Sequence, residues 1–137
     1  LVGILARVLQ QLGSKHVLVV HGRDGLDEIS ISGETDVAEL KNGEVNEYTI
    51  HPQQFGLQTA PLDAIRVTNI GEAKAMLLSA LDNQHGPARD IVALNAGAAI
   101  YVSGIVNSMA DGVRRAQEVL ASGAARKKLD QLVAASR

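Results

Sequence analysis

Four consecutive apolar residues, Val17-Leu18-Val19-Val20, stop abruptly at His21-Gly22-Arg23-Asp24-Gly25-Leu26-Asp27-Glu28-Ile29-Ser30. A strand that is apolar at every position is covered on both faces, whereas a strand with one wet face alternates. The run therefore predicts a buried strand. Two glycines and three carboxylates follow within ten residues at its carboxyl end, where open α/β sheets gather their ligands. Upstream, apolar residues at 1, 4, 5, 8, 9 and 12 make a helical stripe. Gly13 is placed to end that helix. Helix, short turn and buried strand form half of a βαβ unit, which implies a parallel sheet with an earlier strand outside this chain.

The segment 28–32 alternates polar and apolar, as a half-exposed strand would. Two further extended stretches, 35–40 and 45–50, flank Lys41-Asn42-Gly43-Glu44, and Asn-Gly between such stretches signals a hairpin. Residues 51–63 contain Pro52, Pro61 and Gly56 and read as loop with one helical turn. Helices are expected over 71–83, 88–102, 108–120 and 124–135. In the first of these, Ala73, Met76, Leu77, Ala80 and Leu81 form the buried side. The second is the most apolar, and its small residues suit close helix packing. Ser108, with Asp111 three residues on, caps the third. Leu129, Leu132 and Val133 should face inward on the last. The fold class expected is α/β: part of a mixed, mostly parallel sheet with an antiparallel hairpin, flanked by helices, with a helical C-terminal half.

Composition narrows the functions. With 137 residues the chain fits one domain and can bury a core. Aromatics are confined to Tyr48, Phe55 and Tyr101, too few for a surface that stacks bases, and the net charge of −2 gives no basic footprint for nucleic acid. There is no cysteine, which removes disulfides, thiolate metal sites and thiol nucleophiles. Apolar runs fall well short of the roughly 18 residues that span a bilayer, so no membrane partner is expected.

Within the acidic loop, Asp24, Asp27 and Glu28 are the candidates for chemistry. Clustered carboxylates suit a hard cation such as Mg²⁺, which takes oxygen ligands and bridges to phosphates. Asp24-Gly25 is also ordinary turn chemistry, and solvated loop charge is the commoner meaning of an Asp-Glu pair taken alone. Gly22 and Gly25 serve either a turn or a close ligand approach. His21 reads as structural or as a polar contact, and His16, His51 and His85 share no ligand spacing. Asn95, inside the most apolar helix, bonds a buried backbone group or borders a pocket. Arg114-Arg115 and Arg126-Lys127-Lys128 sit beside Glu118 and Asp130 and read as a solvated face. No nucleophile–His–acid arrangement and no P-loop or dinucleotide-type glycine loop is present.

Several strings resemble the anthranilate phosphoribosyltransferase family. They are Gly13-Ser14-Lys15, Val19-Val20-His21-Gly22, Asp24-Gly25-Leu26-Asp27-Glu28-Ile29-Ser30, Val37-Ala38-Glu39-Leu40, Glu47-Tyr48-Thr49, Pro52 with Phe55-Gly56-Leu57, and Leu94-Asn95-Ala96 with Ala98-Ala99. The resemblance implies transfer of a phosphoribosyl group from phosphoribosyl pyrophosphate to anthranilate, with release of pyrophosphate, in tryptophan biosynthesis. It implies Mg²⁺, two ions with the pyrophosphate, held by the family's Asp-Glu pair, which falls on Asp27 and Glu28. It also implies a cytoplasmic homodimer.

The family's glycine-rich pyrophosphate loop, its Lys-His-Gly-Asn segment and its anthranilate-contacting arginine have no counterpart here. Residues 1–137 are therefore expected to be the C-terminal portion of the α/β domain with its trailing helices, without the helical domain, and inactive alone. A pyrimidine nucleoside phosphorylase-like enzyme and a non-catalytic module are the competing readings.

Overall fold

The computed structural model describes residues 1–136. Three strands, β1 (His16–Gly22), β2 (Thr35–Lys41) and β3 (Glu44–Ile50), form one sheet in that order. Both pairings are antiparallel, with His16 opposite Lys41, Gly22 opposite Thr35, Thr35 opposite Ile50 and Lys41 opposite Glu44. The hairpin stands where Asn42-Gly43 predicts it. Both residues have positive φ, 52° and 81°, as a two-residue turn matching the strand twist requires.

The mostly parallel sheet is not found: among the described residues every strand pair is antiparallel, and β1 has a strand neighbour on one side alone. The apolar run misled because covering both faces of a strand does not need a βαβ crossover. Helix α1 (Val2–Gln11) packs on β1 and β2. The opposite face carries Leu18, Val20, Val37 and Ile50 into the core with Leu94 and Ala98 of α3 (Pro87–Val102) and Val113 of α4 (Met109–Ala121). β2 is the central strand, and its Val37, Ala38 and Leu40 are buried.

The expected strand over 28–32 is absent. Ile29, Ser30 and Ile31 are all buried, so the alternation does not mark one wet face. Their backbone groups are taken by other partners. Thr35 Oγ1 accepts from the Ser30 N–H at 3.0 Å, and the Ile31 carbonyl accepts from the Ala60 N–H at 3.1 Å. Two short 3-10 turns, Pro52–Phe55 and Leu62–Ile65, replace the single helical turn expected in the loop.

The second half is helical as expected, with α2 (Ile70–Leu81), α3, α4 and α5 (Ala124–Ala135). Ser108 caps α4 by accepting from the Asp111 N–H at 3.1 Å. Helices α3 and α4 cross at two glycines. A Cβ on Gly97 would stand 2.6 Å from the Val113 backbone, and one on Gly112 would stand 2.1 Å from the Gly97 carbonyl oxygen.

The outer helices bury less than their patterns predict. On α2 only Ala80 is buried, and Ala73 and Leu77 are exposed. On α5 Leu132 and Val133 are 65% and 41% exposed, because Ala125 and the Arg126–Asp82 ion pair, at 2.7 Å, make its contact with the rest. On α1 it is the small residues Gly3 and Ala6 that meet the sheet, while Ile4, Leu5, Val8 and Leu12 are exposed. Among the described residues no helix is long and apolar enough to cross a membrane.

Candidate functional site

The acidic loop leaves the end of β1 and is closed on itself before it reaches the core. The Gly22 N–H donates to the Leu26 carbonyl at 2.8 Å and the Gly25 N–H to the Gly22 carbonyl at 2.9 Å. Gly25 turns the chain at φ 97°, a conformation that side-chain-bearing residues rarely adopt. Inside this ring the Asp24 carboxylate accepts from the Leu26 N–H at 3.0 Å and from the hydroxyls of Ser30 and Ser32. Burial pushes the Asp24 carboxyl up, but those hydrogen bonds outweigh it and hold the group below the usual carboxylate range. Asp24 is therefore bonded within the loop, and Gly22 is packed against it: a Cβ there would stand 2.6 Å from Asp24 Oδ1.

Two further anchors tie the loop to the rest of the fold. Arg23 bridges the Glu34 carboxylate, Asp36 at 2.9 Å and Thr49 Oγ1 at 3.2 Å, joining the loop to β2 and β3. Asn95 of α3 grips the backbone immediately after Glu28. Its Oδ1 accepts from the Ile29 N–H at 3.0 Å, and its Nδ2 donates to the Ile29 and Ile91 carbonyls, each at 3.0 Å. Of the two readings open for Asn95, the bond to buried backbone is the one observed, and the residue also borders a hollow beside β1.

Asp27 and Glu28 stand between these anchors. Both are exposed, and among the described residues neither side chain takes part in an ion pair. They line separate hollows. Asp27 lines a hollow of about 240 Å³ with Val2, Leu5, Val19, His21 and Asp36. Glu28 lines a separate hollow of about 300 Å³ with Ile65, Met76, Leu77, Ile91 and Val92. His21 lies beside Asp27 and not beside Glu28. Among the described residues no three His, Cys, Asp or Glu side chains converge as a ligand set. The donors present are two solvent-facing carboxylates, which fit a hard cation that keeps waters and takes its remaining ligands from a substrate phosphate. They do not form a complete protein cage.

The remaining histidines are bound elsewhere. His51 caps the first 3-10 turn, and His85 Nδ1 lies 2.7 Å from Arg89. His16 belongs to a polar cluster at the other end of β1 that the sequence did not disclose. Glu39 Oε1 accepts from Tyr101 at 2.6 Å and lies 3.0 Å from His16 Nε2, while Glu39 Oε2 accepts from Tyr48 at 3.1 Å. Lys41 donates to the Tyr101 hydroxyl at 2.9 Å. Burial pushes Glu39 up, but the bonds from Tyr101, His16 and Tyr48 outweigh it and lower its pKa. Burial, followed by the Glu39 charge, raises that of Tyr48. The signal that could have found the cluster is strand parity: His16, Glu39 and Lys41 share one face once the register is known.

Comparison with known proteins gives a consistent picture. The model of the family described as "Glycosyl transferase family, a/b domain" matches residues 1–126. The chain is 62% identical over 133 residues to the anthranilate phosphoribosyltransferase of Laribacter hongkongensis, covering 97% of the chain and 39% of that protein. It is 60% identical over 136 residues to that of Thiobacillus denitrificans, covering 99% and 40%. Among solved structures, the anthranilate phosphoribosyltransferase from Thermus thermophilus superposes with a TM-score of 0.87 at 39% identity, over 97% of this chain and 39% of that one. The Saccharomyces cerevisiae enzyme in complex with PRPP and Mg matches at a TM-score of 0.72 and 23% identity, over 84% and 33%, a likeness of fold. The chain thus spans about two-fifths of the length of the curated relatives it matches.

Proposed function

The chain belongs to the glycosyl transferase family, in its a/b domain, and from that premise we propose that it is part of an anthranilate phosphoribosyltransferase. The reaction is transfer of a phosphoribosyl group from phosphoribosyl pyrophosphate to the amine of anthranilate. Identity of about three-fifths to transferases of that name favours this reading over a nucleoside phosphorylase. The resemblance carries with it a cytoplasmic setting and a dimer.

One observation supports the site: two exposed carboxylates that, among the described residues, form no ion pair, on a loop whose Arg23, Asp24, Ser30 and Ser32 are all bonded. In the reaction the amine attacks the anomeric carbon as pyrophosphate departs, and negative charge grows on the leaving group. Asp27 and Glu28 are the residues that would hold Mg²⁺, which when bound neutralises that growing charge. Their placement in separate hollows suits two ions, one per carboxylate. The protein's part is positioning and electrostatics without a protein nucleophile. That accounts for the lack of a catalytic triad in the sequence.

Asp27→Asn with Glu28→Gln in the intact transferase tests the assignment. The Mg²⁺ concentration for half-maximal turnover should rise by about 100-fold or more, since even outer partners of a metal ligand are worth about 10–100-fold. An unchanged Mg²⁺ titration removes the metal role.

A further inference from the structure

The acidic loop is held by two devices that touch neither hollow through their own charge, and they sit immediately on either side of the Asp27-Glu28 pair. Before the pair, Asp24 gathers the Leu26 N–H and the hydroxyls of Ser30 and Ser32. After it, Asn95 holds both backbone groups of Ile29 from α3, and its Nδ2 is fixed in turn by the Ile91 carbonyl one helical turn back. The peptide between Leu26 and Ile29 is thus clamped at both ends by side chains, not by a strand ladder. Ile29 and Ile31 are buried at 2% and 0% exposure and add an apolar anchor.

We infer that Asp24 and Asn95 are positioning residues for the metal-bearing carboxylates, acting through the backbone of Leu26 and Ile29. The inference rests on the reading of Asp27 and Glu28 given above. A free loop would leave the direction of each carboxylate to be set when the metal binds. Here the fold has already spent the loop's conformational entropy, so binding does not repeat that cost. Asn95 is suited to the task because one amide presents an acceptor and two donors in a plane. An aspartate at 95 would turn an acceptor toward two carbonyls, and a leucine would leave the Ile29 N–H and C=O without partners. The clamp also links the loop to α3, whose Ile91 and Val92, one turn before Asn95, line the same hollow as Glu28.

The test uses the intact transferase, with Mn²⁺ in the presence of pyrophosphate as the probe. Binding is followed by electron paramagnetic resonance, beside the metal dependence of turnover. Asn95→Leu and Asp24→Ala should each weaken Mn²⁺ binding by about tenfold or more, with turnover recovering as metal is raised. Asp24→Asn keeps one acceptor oxygen and should recover most of the affinity. Ser32→Ala, which removes one donor from a partly exposed position, should give a smaller shift in the same direction and keeps the test open if Asn95→Leu fails to fold. A merely structural role would lower the melting temperature and turnover at every metal concentration while leaving Mn²⁺ affinity alone. That result, with Asp27→Asn/Glu28→Gln still weakening Mn²⁺ binding, overturns the positioning role and leaves the metal reading standing. Unchanged Mn²⁺ binding in the double carboxylate variant overturns both.

Discussion

Glu39 shows how much one half-buried carboxylate can organise. It accepts from two tyrosines and faces His16 across 3.0 Å, tying β1, β2, β3 and the C-terminal end of α3 at one point. Its folded pKa lies below the ordinary value of 4.5. The sign follows from linkage. A group whose pKa is depressed by folding contributes stability that is complete above its unfolded value and is lost as pH falls through the folded one. Asp24 behaves alike from an ordinary value of 3.8. Stability should therefore hold from neutral pH down to about 5 and fall below about 4. In Glu39→Gln urea midpoints should be lower at neutral pH and the acid slope shallower. An acid slope identical to that of the unaltered protein would show that Glu39 does not carry it. The role of Glu39 could not be read in advance, because a hydrogen-bond partner 62 residues away is a matter of register and helix docking, whereas the turn reading of Asp24 rests on partners two to eight residues away.

At the scale of elements, the α3–α4 crossing is the sharpest constraint. Gly97 and Gly112 leave no room for a methyl group, and the atoms in the way belong to backbone. Gly97→Ala or Gly112→Ala must push the helices apart and should cost about 1–3 kcal/mol, the usual range for overpacking. Chemical denaturation measures it, and a gain in stability from either alanine would contradict the crossing. The same helices show what sequence pattern conveys. The ends of α5 and the Ser108 cap are legible because caps and breakers act locally. The inward face of α5 is legible only in part: Leu129 is half-buried, but Leu132 and Val133, which have the right period, stay 65% and 41% exposed. The segment 28–32 fails for a related reason. Its period is that of a strand, but Asn95, Thr35 and Ala60 supply the hydrogen bonds that a neighbouring strand would have given. The parallel sheet was inferred from burial, and burial does not specify the direction of the neighbour.

For the whole molecule, the candidate site rests on Asp27 and Glu28. Two carboxylates face two hollows, and among the described residues no third acidic or histidine ligand joins them. The family resemblance assigns the pyrophosphate loop and the anthranilate arginine to sequence that residues 1–137 do not include. Purified residues 1–137 given anthranilate, phosphoribosyl pyrophosphate and Mg²⁺ should therefore form no product, and clear turnover would refute the proposal that this portion holds only part of the site. The apolar side chains of α1, with Ile4 61% and Leu12 77% exposed, should make the isolated polypeptide bind a hydrophobic dye. Asp27 and Glu28 are proposed from the string around them; that they line two separate hollows could not be read there, since the surroundings of adjacent residues appear only once the backbone is placed.

The polar cluster around Glu39 also has an optical consequence. The chain has no tryptophan and two tyrosines, and both phenols donate to that same carboxylate. The ultraviolet emission of the entire polypeptide therefore originates at one junction, where α3 meets the sheet. A phenol bonded to a carboxylate emits weakly. Release of α3 from the strands would brighten the signal, while events confined to the acidic loop at the far end of β1 would leave it dark.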